Sequence, residues 1–397
     1  MSTYNHILKL RQIIAKYKEE IEMKVKKILV VSFVFAMAFA MIVSATGCRQ
    51  KATAPAQPSV AVGSKPYIAL ISKGFQHQFW QTVRKGADQA AKDNDVTITF
   101  DGPPSESDVS IQVEMLKSAI ARKPAAIGLA ALDTQSVLDQ LNECKSNNIP
   151  VIGFDSGVPN APEGTIYATA ATDSYAAAGM AAEHLFENPA FQAALKSGKH
   201  ITVGVLSQDA TSMSITSRTS GFIDTLDKKV EAVEGFAGAV EVVGHDKWKK
   251  AASVTPKLTV KLNIPATTGP SDMKTGAEFL LRTSDLVAIF GSNEGAVNGI
   301  LTAANDGKEF NKVDGKYKNI IAIGFDAGKT QKVAVANGWL FGAITQDPYQ
   351  IGYKSVSLAV DAINGKPAPP NGKVDTGCKW YDAKNMNDPD IALLLYD

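Results

Sequence analysis

The 397-residue chain is 45% hydrophobic and 20% charged, with 31 Gly, an ordinary globular composition whose length suits two domains of roughly 100–200 residues each. The formal net charge is +1, but residues 1–47 carry seven Lys/Arg and three Asp/Glu, leaving 34 basic against 37 acidic residues in the remainder. A faintly acidic body without a basic stripe gives nucleic acid no electrostatic footing.

Lys24, Lys26 and Lys27 precede the charge-free apolar stretch Ile28–Val43, which exits into the small residues SATGC. A charged start, an apolar middle and a small-residue exit form the pattern of an export signal. The stretch falls short of the roughly 20 residues that comfortably span a bilayer. Ala45–Cys48, ATGC, resembles a bacterial lipobox, with Ala45 where the motif usually has Leu. The resemblance makes Cys48 the lipidation site and residues 1–47 a signal peptide, with Met23 as a possible true start. Residues 48–64, rich in Ala, Pro, Gln and Ser, cannot bury a core and read as a flexible tether. The expected location is the outer face of the cytoplasmic membrane. Cys144 and Cys378 are too few for a disulfide framework, and the sequence leaves open whether they pair.

From Tyr67 the chain alternates apolar runs with helical patterns. YIALIS is followed by a predicted helix over 80–94, with Trp80, Val83, Ala87 and Ala91 on one face. VTITF leads through Gly102-Pro103-Pro104 to a helix over 108–121. AAIGLAALD precedes a helix that Asp133 is expected to cap, and IPVIGFDSG follows. The pattern then restarts with HITVGVLSQ, LTVKLNIPA, DLVAIFGSN and NIIAIGFDAG. Continuous apolar strands between helices predict parallel sheets covered on both faces. VIGFDSG (Val151–Gly157) is echoed about 170 residues later by AIGFDAG (Ala322–Gly328), too far for a solenoid repeat. Two similar α/β lobes follow, each with an Asp, Asp155 or Asp326, at the carboxyl end of a buried strand where a crevice forms.

Together FWQTVRKGA, IPVIGFD, SRTSGF, AIFGSNE, IAIGFDAG and GAITQDPYQIG make residues 65–397 resemble the sugar-binding proteins of bacterial ABC importers, specifically the ribose-binding group. The resemblance rests on the ordered set, since no single motif is specific. It implies the type I periplasmic binding protein fold: two Rossmann-like lobes with parallel sheets joined by a three-strand hinge. Carried over, the first lobe comprises 65–172 and 347–378, and the second 173–346 and 379–397. Phe79 and Trp80 fall at the family's stacking aromatics. Asp155, Arg218, Asn293, Asp326 and Gln346 match the ligand positions in residue type. Lys73, His77 and Ser156 occupy contact positions with residues a ribose binder does not use. The aromatic that covers the other sugar face has no counterpart, and Thr267 and Thr268 fall near its place. Extra sequence around GHDKWKKAASVTPK lengthens the second lobe.

The residue types suit that role. Carboxylates accept from hydroxyl pairs, a guanidinium donates in a fork, and side-chain amides do both. Aromatic rings cover C–H faces. Each also has a plainer reading: Phe79 and Trp80 as core, the two Asp residues as helix caps, His77 and Arg218 as solvated or capping groups, Lys73 as a solvated rim residue. If Lys73 points inward with His77 and Arg218, a sugar acid becomes conceivable, although two buried carboxylates oppose an anion.

The expected function is a lipid-anchored, monomeric receptor that closes on a pentose or hexose by a hinge and delivers it to a membrane permease. No cofactor is expected. A receptor presenting a sugar or furanose signal to a membrane sensor would use the same clamp. A sugar-responsive repressor shares the core, but the export signal and the lack of a basic helix-turn-helix before Tyr67 count against it. For an enzyme or metal site the signals are missing: the five His show no ligand spacing, and there is no CxxC or GxSxG. A glycosidase-like role for Asp155 and Asp326 is set against their match to binding positions.

Overall fold

The computed structural model describes residues 65–75 and 77–396; the export segment, Cys48 and the tether lie outside them. The chain begins with β1 (Tyr67–Ile71), α1 (Gln78–Asp93), β2 (Thr97–Asp101), α2 (Val109–Ala121), β3 (Ala126–Leu129), α3 (Leu138–Ser146), β4 (Val151–Phe154) and β5 (Ile166–Ala171). It continues with α4 (Ser174–Glu187), α5 (Pro189–Lys196), β6 (Ile201–Leu206), α6 (Met213–Glu231), β7 (Val240–Val243) and β8 (Leu258–Asn263). Then come α7 (Pro270–Leu281), β9 (Leu286–Gly291), α8 (Glu294–Ala303), β10 (Ile321–Phe325), α9 (Lys329–Ala336) and β11 (Gly342–Gln346). The last elements are α10 (Pro348–Ile363), β12 (Lys373–Asp375), β13 (Cys378–Tyr381) and α11 (Pro389–Ala392).

These strands form two sheets, ordered β12-β5-β4-β3-β1-β2 and β13-β11-β10-β9-β6-β8-β7. All pairings are parallel except β11 with β13. The chain passes between the sheets after β5, after β11 and between β12 and β13. β1, β3, β4, β6 and β10 are buried along their whole length, apart from partial exposure at Tyr67. This is the consequence of helices on both faces and explains their uninterrupted apolar sequence.

In each lobe one helix pair packs unusually close. A Cβ added at Gly86 of α1 would overlap the Tyr349 carbonyl of α10, and one at Gly352 of α10 would overlap the Val83 carbonyl of α1. The two helices therefore touch backbone to backbone. The returning helix α10 is fixed this way to the first lobe's opening helix. Gly221 of α6 meets the Tyr175 backbone of α4 in the same manner.

Some local expectations are revised. Asp133 does not cap α3: its carboxylate accepts from the Gln135 and Ser136 amides, closing a turn, and the helix starts later, after Val137. The lengthened segment of the second lobe forms the outer strand β7 and the loop to β8. Trp248 anchors that loop, with its indole N–H on Ser220 Oγ at 2.9 Å, and Lys250 pairs with Asp227 and Glu231. Cys144 and Cys378 are both free thiols. Burial pushes the first up to about 12 and the second to about 11.

Candidate functional site between the two sheets

In both sheets the strands end on one edge, and the two edges face each other. A small polar cavity lies between them. Lys73, His77, Phe79, Trp80, Glu106 and Asp155 line it from the first lobe, and Ile215, Arg218, Asn293, Asp326 and Gln346 from the second. Nine of the residues singled out in the sequence thus meet at one place. Ser156 and Thr267 do not line it. Ser156 is fully buried and its Oγ accepts from the Ser214 amide across the cleft at 3.3 Å. Thr267 is exposed and bonds to Asp272 at 2.7 Å. Its neighbour Thr268 meets Ser105 and Ser107 of the other lobe.

The repeated Gly-Phe-Asp motif explains how the two carboxylates arrive. After β4 and β10 the backbone turns left-handed at Asp155 (φ 56°) and Asp326 (φ 77°), a conformation that Asp tolerates better than most residues. The Asp155 amide still bonds to Ala170 and the Asp326 amide to Ile344. Each Asp therefore continues the sheet with its amide while its carboxyl group lies in the cleft.

Their surroundings differ. Asp326 is engaged on both oxygens, accepting from Gln346 Nε2 at 2.6 Å and from the Glu294 amide at 2.9 Å. Asp155 Oδ2 has no hydrogen-bond partner in the protein; Lys73 Nζ stands 3.4 Å away. Burial pushes the Asp155 carboxyl above its ordinary range, and Lys73 and Arg218 only partly oppose this. Arg218 is clamped between the lobes, 4.0 Å from Asp155 and 3.8 Å from Asp326, with its guanidinium 3.9 Å from the Phe325 ring centre and Nη1 on the Ser292 carbonyl. Its Nε has no partner. Asn293 caps α8 through Oδ1 and donates to Gln208.

The aromatic pair that follows β1 packs edge to face at 5.0 Å. Phe79 and Trp80 are 5% and 1% exposed, so they belong to the core and to the cavity wall at once. Trp80 donates its indole N–H to Glu106 Oε1 at 2.7 Å. Lys73 is not a solvated rim residue: it is 4% exposed, and its ammonium donates to Ser214 Oγ across the cleft at 3.1 Å. Burial alone would lower its pKa, but Asp155 and Glu106 outweigh that and raise it. His77 occupies the N-cap position of α1 without capping it. Its Nε2 faces Glu106 Oε1 at 3.7 Å without a hydrogen-bond partner.

Sequence reasoning passed over Glu106, Gln208 and Ile215. Glu106 lies in the loop after β2, and Gln208 just beyond β6. Both stand past carboxyl ends of parallel strands, the edge where ligands bind in open α/β sheets, and strand order alone would have nominated those loops. Gln208 Nε2 donates to Glu106 Oε2 at 2.8 Å, joining the lobes. Further bridges run from Thr211 to the Leu132 carbonyl and from the Lys329 amide to Gln78. The two lobes are closed on one another.

A set of buried acceptors and donors beside one aromatic wall can hold a small polyhydroxylated molecule. Among the described residues no group of His, Cys, Asp and Glu is arranged to hold a metal ion. The model of the family described as "Periplasmic binding protein domain" matches residues 68–367. The chain is 22% identical to the ribose import binding protein RbsB of Bacillus subtilis over 322 residues, 81% of this chain and 90% of that one. A solved structure from Brachyspira murdochii, titled an ABC transporter, LacI family transcriptional regulator, is similar at 35% identity and a TM-score of 0.69, covering 84% of this chain and 99% of that one. An ABC transporter solute-binding protein from Agrobacterium vitis, solved with bound D-fucose, is similar at 27% identity and a TM-score of 0.68, covering 83% and 100%. Fold, cleft and family match agree, and the chain belongs to the periplasmic binding protein domain family.

Proposed function

We propose that this protein is the extracytoplasmic sugar-binding component of an ABC importer, holding one neutral monosaccharide, a pentose or hexose, between its lobes. The observation that carries this reading is the pair Asp155 Oδ2 and Arg218 Nε. They come from opposite lobes, lie buried on one cavity, and find no hydrogen-bond partner in the protein. A hydroxyl group donates and accepts, so it satisfies both. Leaving them without hydrogen bonds costs about 1–3 kcal/mol each, and a ligand touching both lobes recovers that cost only in the closed form. Binding is the whole chemistry here, with no bond made or broken. Phe79 and Trp80 cover the C–H face of the ring, and Ile215 is the apolar residue on the opposing lobe. Asn293, Asp326 and Gln346 hold the second wall.

The wider assignment rests on the likeness to ABC transporter binding proteins and on the amino-terminal sequence. It comprises a signal peptide through residue 47, lipidation at Cys48, a tether over 48–64 and delivery to a membrane permease. A monomer suits a clamp that opens and closes. The test is a thermal-shift panel of pentoses, hexoses, polyols and sugar acids against ligand-free protein. A sugar at a hundred times its dissociation constant adds about 2.7 kcal/mol, a rise of several degrees. Failure of every neutral sugar to shift the melt would overturn the reading.

A further inference from the structure

Three basic groups, Lys73, His77 and Arg218, face one small cavity, the arrangement a carboxylate ligand would suit. Glu106 stands among them, itself 4% exposed. Its Oε1 takes the Trp80 indole at 2.7 Å and lies 3.7 Å from His77 Nε2. Its Oε2 takes Gln208 Nε2 at 2.8 Å and lies 4.0 Å from Lys73 Nζ. Asp155 flanks the same ammonium at 3.4 Å. Asp209, the other carboxylate felt by Lys73, is engaged with the Thr211 and Ser212 amides. With Asp326, three carboxylates line the cavity against two permanent cations.

Resting on the monosaccharide reading, we propose that Glu106 is the specificity-determining residue that makes this site choose uncharged sugars over sugar acids, by occupying the face formed by the Lys73 ammonium and the His77 imidazole. Its position explains why one residue does this. Both oxygens are engaged by Trp80 and Gln208, so the carboxylate cannot swing away to admit a competing anion. A ligand carboxylate placed beside Lys73 would meet Glu106 and Asp155 in a site shielded from water, where like charges repel strongly.

The proposal is tested by calorimetric titration of the protein with galactose, glucose and ribose and with galacturonate, glucuronate and ribonate. The native protein is expected to bind a neutral sugar and not its acid. In Glu106→Gln the acid-to-neutral affinity ratio should rise by at least about tenfold. In Glu106→Gln combined with Gln208→Glu, which restores the donor–acceptor pairing and returns the charge across the cleft, the ratio should fall back. An equal loss for both ligand classes in Glu106→Gln would make Glu106 a scaffold residue and overturn the proposal. If that variant does not fold, Lys73→Met is compared with Lys73→Met/Glu106→Gln. Adding the second change should improve neutral-sugar binding by relieving an uncompensated carboxylate, and an unchanged or weaker affinity overturns the pairing. A native protein that prefers an acid overturns the proposal while leaving a sugar receptor. A native protein that binds neither class overturns the monosaccharide reading and the proposal with it.

Discussion

Asp155 and Asp326 are the same device in two lobes, built on the same Gly-Phe-Asp sequence and the same left-handed turn, yet they do different work. Asp326 has both oxygens hydrogen-bonded and orders its own lobe, tying β11 to the start of α8. Asp155 keeps one buried oxygen unbonded. A repeated motif therefore specifies where a carboxylate stands, while its neighbours decide whether both its oxygens are hydrogen-bonded within the protein or one is left without a hydrogen bond. The lesson extends to Lys73 and Glu106, whose roles come from residues far apart in sequence.

The contrast can be broken from either side. The largest effect is expected from Asp326→Ala, which leaves Gln346 and the Glu294 amide without their acceptor. Unliganded protein should lose about 2–4 kcal/mol, read from the urea unfolding midpoint at constant slope, and sugar binding should fall with it. Asp155→Asn should do the reverse. Neutral-sugar affinity should drop tenfold to a hundredfold, about 1.5–3 kcal/mol, while unliganded stability holds or rises because an ill-solvated carboxylate has gone.

The pH dependence sharpens the same comparison. Burial raises the folded-state pKa of Asp155 above 3.8, so the native state holds that proton more tightly than the unfolded chain. Its contribution is favourable at low pH and is lost as pH rises from 3.8 through the folded value. Asp155→Asn should therefore gain on the native protein as pH rises across that window. Glu106 behaves oppositely. Burial would raise its pKa, but Lys73, His77 and the bonds from Trp80 and Gln208 bring it below 4.5. Its contribution is present above 4.5 and is lost as pH falls through the folded value. Glu106→Gln should lack that acid-side loss, measurable as unfolding free energy against pH. The smallest effect belongs to Thr267→Ala: exposed and bonded only locally, it should leave binding unchanged and stability within about 0.5 kcal/mol.

Much of this was legible in the sequence, for physical reasons. Buried parallel strands announce themselves as unbroken apolar runs, so the two-lobed α/β class, the strand-end Asp pair and the aromatic pair were all in view. The three-residue strand β12 carries no such signal; its burial is partial and its pairing with β5 depends on the rest of the fold. Lys73 looked like a rim residue because lysine is rarely buried without a partner. Its partners, Asp155, Glu106 and Ser214, lie 82, 33 and 141 positions away along the chain. Glu106 has no periodicity to mark it, lying in the loop between β2 and α2. Thr267 was placed at the cavity by position in a resemblance, whereas locally it serves the start of α7.

On the proposed reading the cleft closes on an uncharged sugar held by Asp155, which calorimetric titration of ligand-free native protein and Asp155→Asn with neutral pentoses and hexoses would decide. The native protein is expected to bind one or a few sugars at a single site, with affinity reduced at least tenfold in a variant that melts no earlier. Binding that is indifferent to Asp155→Asn, or no neutral sugar bound at all, would contradict it.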